Sequence, residues 1–300
     1  NLAEAAAPVL ALQEKLLGAS TEPEMAAAQA QLGKAQALLQ QNVLQELWTQ
    51  LGGLECRTKT ARLTSLAEVM GASNSRFRGV YSQIVEGIKS DNPEAFAKFV
   101  GEATAIRDIC KAEQRVCRQG KEDAIEILLQ AKRAGPGFEK LLAAVAQSVE
   151  GATHKVGPLK KMFRMVEKTA LRTENCGGLS EDGASLQVTF NFGRVCDVRR
   201  GFIQCDSFAQ LAAVLAALRQ MEKDGTIVIR RIKDRFSTPS AGGWADCMVN
   251  FSLAADPDGH VCELQCVHAQ LMLARKELGG HQIYGKGRAA AELLELAAAV

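Results

Sequence analysis

The chain has 300 residues, of which 47% are hydrophobic and 23% charged, and a formal net charge of +2 at pH 7. That composition is sufficient to bury a core, which excludes disorder as the main state. The halves 1–150 and 151–300 carry 17 basic against 18 acidic and 19 against 16 residues, a balance that excludes nucleic-acid binding by charge alone.

The longest apolar run, Phe208–Leu218, covers 11 residues, well short of the ~18–20 that a membrane-spanning helix requires. We therefore expect a protein that does not span a membrane. Nine cysteines without the spacing of a disulfide framework predict buried thiols in an intracellular, reducing compartment. Because the chain begins at Asn1, a processed protein of an organelle is also an expectation.

Cys262 and Cys266 have a C-x3-C spacing and could suggest a zinc site. On a strand, however, the two side chains would lie about 13 Å apart along the chain at ~3.3 Å per residue. That separation is too large for both thiols to bind one metal ion. The sequence therefore predicts two buried thiols here.

Residues 1–172 show helical patterns throughout, and residues 1–153 are predicted to form a helical bundle region. Thr21–Pro23 provides an N-cap and a first-turn proline for a helix that runs to Trp48, and Gly52-Gly53 follows as a stop. A second start is Asp91-Asn92-Pro93, which is followed by apolar residues at helical spacing. That stripe consists of Phe96, Phe99, Val100, Ala103, Ile106, Ile109 and Cys110.

Two further helices are predicted before residue 153. The first runs from about Lys121 to Arg133 and closes at Gly135-Pro136-Gly137, and the second runs from Phe138 to about Glu150. No internal repeat accompanies these helices. The region therefore looks like a bundle rather than a repeat array.

The hydrophobic period changes to that of strands after Gly177-Gly178, and we predict that residues 154–300 form an α+β domain. The predicted strands are Ser185–Phe192, Val195–Cys205, Gly225–Phe236, Ala245–Leu253 and His260–Val267. The predicted helices are Phe208–Glu222, His268 to about Leu278, and Arg288 to the end. The last two strands flank the turn sequence ADPDG and should form a hairpin. The fold class is thus an all-helical N-terminal region followed by a mixed β-sheet with flanking helices.

The hairpin carries the first candidate site. If its apolar faces turn to the core, then Asp246, Asn250, Glu263 and Gln265 share one open surface. Two carboxylates on one sheet face near a basic helix could hold a metal-bound phosphate. A solvated sheet face without a ligand is the alternative.

The segments from Lys160 to Arg288 resemble the RelA/SpoT-type synthetase domain, a nucleotidyltransferase-like α+β fold, over about residues 155–290. The matching segments are KKMFRMVEK, CDVRRGFI, KDRF-x-x-P-x-x-GGW-x-D, the strand ELQ, and H-x-x-Y with a following arginine, which are His281, Tyr284 and Arg288. The order of these segments carries the resemblance. None of them is specific alone.

The resemblance implies transfer of pyrophosphate from ATP to the 3′-hydroxyl of GDP or GTP. It assigns Asp197 and Glu263 as the catalytic pair that binds Mg²⁺ or activates the hydroxyl, and Trp244 as the residue that stacks on the base. The further nucleotide-binding candidates are Lys160, Lys161, Arg164, Lys168, Arg199, Arg200, Gln265 and His281. A purine nucleotide is the implied ligand, and Mg²⁺ the implied cofactor if the site is active.

Departures from the family pattern point to lost activity. Ser240 and Gly242 replace a lysine and an asparagine, and Asp246 adds a negative charge where a phosphate would approach. Residues 1–153 contain no histidine, which excludes the His-Asp phosphohydrolase that long family members carry.

The first hypothesis is therefore a non-catalytic binding or scaffold module, an accessory subunit that meets protein partners through its N-terminal helices. The second is a divergent Mg²⁺-dependent pyrophosphokinase or nucleotidyltransferase. A third is a relic pocket that senses a nucleotide without chemistry.

Overall fold

The computed structural model describes residues 2–50, 56–172, 175–179, 186–240, 242–277 and 290–295. The helices are α1 (Leu2–Gly18), α2 (Glu22–Gln50), α3 (Cys56–Asp91), α4 (Pro93–Ala112), α5 (Ala124–Arg133), α6 (Gly135–Gln147), α7 (Met162–Ala170), α8 (Phe208–Lys223) and α9 (Ala269–Glu277). The strands are β1 (Thr153–Val156), β2 (Cys176–Leu179), β3 (Leu186–Val188), β4 (Arg200–Cys205), β5 (Ile227–Asp234), β6 (Cys247–Leu253) and β7 (Val261–His268). Residues 290–295 are also helical. The predicted α+β class is confirmed.

Helix starts follow the predicted capping chemistry. The Asn92 side chain accepts a hydrogen bond from the Ala95 amide at 2.9 Å ahead of α4, and Asp123 caps α5 in the same way. Pro136 lies in the first turn of α6, so Gly135-Pro136-Gly137 begins this helix and is not the predicted loop. Proline favours this position because the first-turn amide needs no partner. Gly52-Gly53 lies outside the described residues.

Four predicted stretches differ from the structure. Residues 113–123 are not helical, and Thr153–Val156 forms a strand, β1, that pairs antiparallel with β4. The predicted strand from Val195 begins only at Arg200, and the predicted strand Ser185–Phe192 is reduced to β3 followed by a short 3₁₀ helix. Long-range pairing partners decide these stretches, and the local pattern carries no information about such partners.

The main sheet has the strand order β1-β4-β7-β6-β5. β7 lies in the middle, parallel to β4 and antiparallel to β6, so the predicted hairpin of β6 and β7 is confirmed. The mixed sheet has one apolar and one polar face. α4, α6 and α8 supply buried side chains to the core that includes the apolar face.

Aromatic rings form the centre of the core on the apolar face. Phe208 of α8 lies with its ring 4.8 Å from Phe96, 5.4 Å from Phe99 and 5.2 Å from Phe236. Edge and tilted contacts of this kind are the arrangement that aromatic pairs prefer. Helices of the first 153 residues therefore share one core with the sheet, and the division at residue 153 stays a prediction.

A β-bulge in β5 decides which side chains face the core. The register shifts between Ile229 and Arg231, and the extra residue reverses the alternation along the strand. Ile229 and Ile232 consequently pair with Phe251 and Val249 of the apolar face. The cations that follow the bulge are turned to the polar face.

The N-terminal helices pack against α7. The side-chain amide of Gln13 donates a hydrogen bond to the Lys160 carbonyl at 3.2 Å and accepts one from the Met162 backbone amide at 2.7 Å. A residue of α1 thus supplies hydrogen-bond partners for the backbone at the start of α7. Apolar residues of α1 and α2, including Leu16 and Leu32, are buried in a cluster with Met165. The apolar stripes predicted to meet protein partners therefore pack, in large part, against this chain itself.

His260 is fully buried, and neither ring nitrogen has a hydrogen-bond partner among the described residues. Burial, followed by the positive charge of Arg199, lowers the pKa of His260 to about 3 from 6.5. Because the pKa is lowered on folding, this residue's contribution to stability is complete above pH ~6.5 and is lost as the pH falls, by at most about 1.4 kcal/mol per pH unit.

We expect His260→Leu to flatten the acid side of the stability profile, measured by urea unfolding between pH 5 and 7.5. His154→Leu, at an exposed position of β1, is the matched control and should leave the slope unchanged. Equal slopes for both variants and the unmodified chain would contradict the prediction.

Candidate functional site

Two rows of side chains cross the polar face of the sheet from β4 to β5. The first row is Arg200, Glu263, Asn250 and Arg231, and the second is Phe202, Gln265, Met248 and Lys233. Side chains directly opposite one another on paired strands lie close enough to interact. Glu263 and Gln265 of the HVCELQCVH stretch therefore lie at the centre of this face.

The structure places the predicted surface group on one face but buries most of it. Asp246, Asn250 and Glu263 are 1%, 0% and 7% exposed, so the predicted open surface is wrong. The loop before β4 covers Asn250, whose side chain donates to the Cys196 carbonyl at 3.3 Å, and Arg235 and Trp244 contact Asp246. The face is thus the floor of a covered site.

Asn250 connects this floor to a cation. Its Oδ1 accepts hydrogen bonds from Nε and Nη2 of Arg231 at 3.1 and 2.9 Å, and its Nδ2 also donates to the Cys262 carbonyl at 3.3 Å. A fully bonded amide of this kind fixes the guanidinium in place. Arg231 is thereby held on the polar face.

Asp197 lies in the loop before β4 and is held by two lysines. Its Oδ2 is 2.7 Å from Lys160 Nζ, and its Oδ1 is 3.0 Å from Lys168 Nζ. A backbone hydrogen bond from Lys160 to Val198 fixes the first lysine beside this loop. Burial raises the pKa of Asp197, but the two ammonium groups outweigh it and hold the pKa well below its usual range.

The pKa of Glu263 is shifted in the opposite direction from that of Asp197. Burial, followed by the negative charge of Asp197, raises the pKa of Glu263, while Lys168 and a hydrogen bond from Gln265 at 3.0 Å oppose the shift. Two neighbouring carboxyls with opposite shifts are the pattern of a site in which one stays ionised and the other exchanges protons. Asp197 has the first property and Glu263 the second.

Trp244 lies in the core rather than on a free loop. Its ring is 8% exposed, meets Tyr81 edge-on at 5.5 Å and has the Arg275 guanidinium 4.9 Å from its centroid. The partners of the ring come from α3 and α9, which are distant in sequence from Trp244. The ring is not free to stack on a base in this structure.

The negative charge of Asp246 is compensated. Arg235 Nη1 lies 2.7 Å from its Oδ1, and the Trp244 indole donates to its Oδ2 at 3.1 Å. Arg235 therefore offsets part of the charge that was predicted to repel an approaching phosphate. The charge of Asp246 still contributes to the raised pKa of Glu263.

The remaining predicted residues separate into different places. Arg200 faces the site, with its Nη1 3.9 Å from Asp197, whereas Arg199 turns to the opposite side and donates to the Ala131 carbonyl at 3.1 Å. Arg164 pairs with Glu167 on the helix surface. The other predicted positions are exposed Lys161, immediately before α7, and His281, Tyr284 and Arg288, which lie outside the described residues.

Arg231 and Lys233 were missed by the sequence predictions. Burial and then the positive charges of Arg231 and Arg235 lower the pKa of Lys233, which indicates crowded cations. The R-x-K-x-R alternation of β5 could have revealed the cations. With Lys168 and Arg200 they give the site an excess of positive charge suited to an anion such as a phosphate.

The arrangement does not fit a Mg²⁺ ion shared by Asp197 and Glu263. Both oxygens of Asp197 are already bonded to lysine ammonium groups, and a metal ion would have to displace them. The described ranges contain no cluster of three or more His, Cys, Asp or Glu side chains that could hold a metal ion. The cations of the site are protein side chains.

No protein-family model and no curated protein matches the chain. Among solved structures, it is similar to small alarmone synthetase 2 from Bacillus subtilis, with 19% identity, 59% of this chain and 91% of that chain covered, and a TM-score of 0.39. For small alarmone synthetase 1 from the same organism, bound to its product pppGpp, the identity is 11%, the coverage is 57% of this chain and 91% of that chain, and the TM-score is 0.36. For a GTP pyrophosphokinase family protein from Streptococcus pneumoniae, the identity is 16%, the coverage is 57% of this chain and 88% of that chain, and the TM-score is 0.34. The similarity concerns fold alone.

None of the helices within the described ranges combines the length and the apolar character needed to cross a membrane.

Proposed function

We propose that this chain binds the polyphosphate of a nucleotide on the polar sheet face and transfers a pyrophosphoryl group from it, the reaction that the motif resemblance implies. The observation that carries the proposal is the cation set Lys168, Arg200, Arg231 and Lys233 around one buried glutamate with a raised pKa. Cations with a proton acceptor at their centre are what phosphoryl transfer requires, since positioning and charge stabilisation supply most of the catalysis.

In this proposal the side chains divide the work. Arg231 and Lys233 bind phosphate oxygens and stabilise the charge that builds on them as the bond to the leaving group breaks. Glu263 accepts the proton of the acceptor hydroxyl while that oxygen attacks phosphorus, and its raised pKa makes it a stronger base than an exposed glutamate. Asp197 holds Lys160 and Lys168 in position through its two oxygens.

A second candidate is a binding or scaffold module without chemistry, working as an accessory subunit of a larger assembly. The observation that favours it is the pairing of both Asp197 oxygens with lysine ammonium groups, which gives this carboxylate a structural partner on each oxygen. In this case the cations would hold a nucleotide or an acidic partner segment without turnover.

Turnover separates the two candidates. The purified chain is mixed with labelled ATP and either GDP or GTP, with and without Mg²⁺, and products are separated while binding is measured in parallel. A product of pyrophosphate transfer supports the first candidate. Tight binding without any product supports the second, and the absence of both overturns the proposal that the polar face is a nucleotide site.

Arg231→Gln and Lys233→Gln are each expected to weaken ATP binding about 10- to 100-fold, because each removes a charge-assisted contact worth ~1.5–3 kcal/mol. Isothermal titration calorimetry measures the change. Arg133→Gln is the matched control, because Arg133 is 57% exposed and pairs with Asp258 outside the site. Equal affinities for all three variants would contradict the assignment of the face.

A further inference from the structure

Two irregular segments meet beside the polar face, and each carries a cysteine. Residues 113–123 and 191–199 are joined by backbone hydrogen bonds from Gln119 to Gly193 at 2.7 Å and from Phe192 to Glu122 at 3.1 Å. The Gln119 side chain adds a bond to the Val195 carbonyl at 3.3 Å. These bonds hold the two segments side by side.

Cys117 and Cys196 face each other across these segments. Cys117 lies two residues from Gln119 and Cys196 lies three residues from Gly193, and the Cys196 thiol donates to the Gly193 carbonyl at 3.9 Å; Cys117 is half-buried and Cys196 is 3% exposed. A disulfide needs sulfurs at about 2.05 Å on backbones about 4.4–6.8 Å apart. The backbone hydrogen bonds at Gln119–Gly193 and Phe192–Glu122 keep the two segments adjacent, which such a bond requires.

The surroundings of Cys117 favour its reactive form. The neighbouring Cys196 thiol, assisted by the positive charges of Arg231 and Lys233, outweighs burial and lowers the pKa of Cys117 to about 7. The thiolate is the nucleophilic form of cysteine, and nearby cations stabilise it. Cys117 is therefore a reactive thiol whose partner lies within reach.

The other cysteines whose side chains the structure describes lack these properties. Cys205, Cys247, Cys262 and Cys266 are buried, and burial raises the pKa of each. Cys110 is half-buried, but burial raises its pKa as well. A buried neutral thiol is a poor nucleophile.

We propose that Cys117 and Cys196 form an oxidation-sensitive dithiol that a peroxide converts to a disulfide. The Cys117 thiolate attacks one peroxide oxygen, the O–O bond breaks, and the sulfur becomes a sulfenic acid as hydroxide leaves. The Cys196 sulfur then attacks the Cys117 sulfur, the S–S bond forms, the S–O bond breaks, and water leaves with the remaining proton. Two thiols are oxidised and one peroxide is reduced to two waters.

The bridge would act on the site through the loop before β4. Cys196 directly precedes Asp197, and its carbonyl accepts the hydrogen bond from Asn250. A covalent link to residues 113–123 fixes this loop over the polar face. The formation of the disulfide is independent of the proposed nucleotide chemistry, and only its effect on ligand binding rests on that function.

The test treats the reduced full chain with hydrogen peroxide, blocks the remaining thiols and maps the peptides by mass spectrometry. We expect a Cys117–Cys196 disulfide and the loss of two titratable thiols per chain. Cys117→Ser and Cys196→Ser should each abolish the bridge, while Cys110→Ser, the matched control, should retain it. Circular dichroism verifies that each variant is folded.

A bridge to another cysteine, or irreversible oxidation of Cys117 with Cys196 still a free thiol, would overturn the proposal. If the Cys196→Ser variant does not fold, the Cys117→Ser variant, which changes a half-buried residue, still shows whether the bridge requires Cys117. Because the experiment detects a disulfide-linked peptide, its result does not depend on whether the chain binds a nucleotide. ATP binding before and after oxidation then measures the effect on the site separately.

Discussion

Asp197→Asn is expected to lower the free energy of unfolding by about 3–5 kcal/mol, the range for removing one partner of a buried ion pair. The loss is large because Lys160 is only 8% exposed and its ammonium would lose the carboxylate 2.7 Å away. Lys168 would lose the same partner at 3.0 Å. Urea unfolding at pH 7 measures the difference.

A double variant separates a lost ion pair from a general disturbance of the loop. Asp197→Asn combined with Lys160→Met removes both charges, and we expect it to be more stable than Asp197→Asn alone. Arg133→Gln, which breaks the exposed pair with Asp258, should cost no more than ~1 kcal/mol. If Asp197→Asn also lowers the free energy of unfolding by no more than ~1 kcal/mol, the ion pairs of Asp197 with Lys160 and Lys168 do not stabilise the fold as their geometry indicates.

Glu263→Gln is expected to reduce pyrophosphate transfer about 100- to 10,000-fold, the range for the loss of a general base. ATP binding should persist or tighten, since the substitution removes a negative charge from among cations. Because the pKa of Glu263 is raised in the fold, the rate should fall with acidification at a higher pH than for an ordinary glutamate. Initial rates across a pH series measure both effects.

Glu126→Gln is the matched control, because this exposed glutamate pairs with Lys121 and is not one of the side chains of the polar face. Its rate and pH profile should equal those of the unmodified chain. A Glu263→Gln enzyme with full activity would show that another group accepts the proton. An unaltered chain without activity would leave the binding module as the function of this face.

The sequence predicted the elements whose signals are local. α4, α8 and the β6–β7 hairpin each have a cap, an apolar stripe or a turn sequence within their own span, and all three are confirmed. The shared face of Asn250 and Glu263 followed from the same alternation. These signals suffice because neighbours within one element determine the conformation there.

What the sequence could not predict depends on distant partners. The cover over Glu263 comes from the loop before β4, and the partners of Trp244 come from α3 and α9. The side chains of Arg199 and Arg200 are neighbours along the chain, so the alternation of a strand places them on opposite faces of the sheet. It does not indicate which of the two faces carries the site. In β5 the bulge reverses the alternation and moves Arg231 to the polar face.

The position of β7 has a consequence for the synthesis of the chain. Among the strands within the described ranges, β7, which joins β4 to β6 in the middle of the sheet, is the last to leave the ribosome. Until then β1 with β4, and β5 with β6, are separate halves whose inner edges have unpaired amides and carbonyls. A nascent chain stalled before Val261 would present both open edges to other chains, so translation speed over this stretch bears on aggregation.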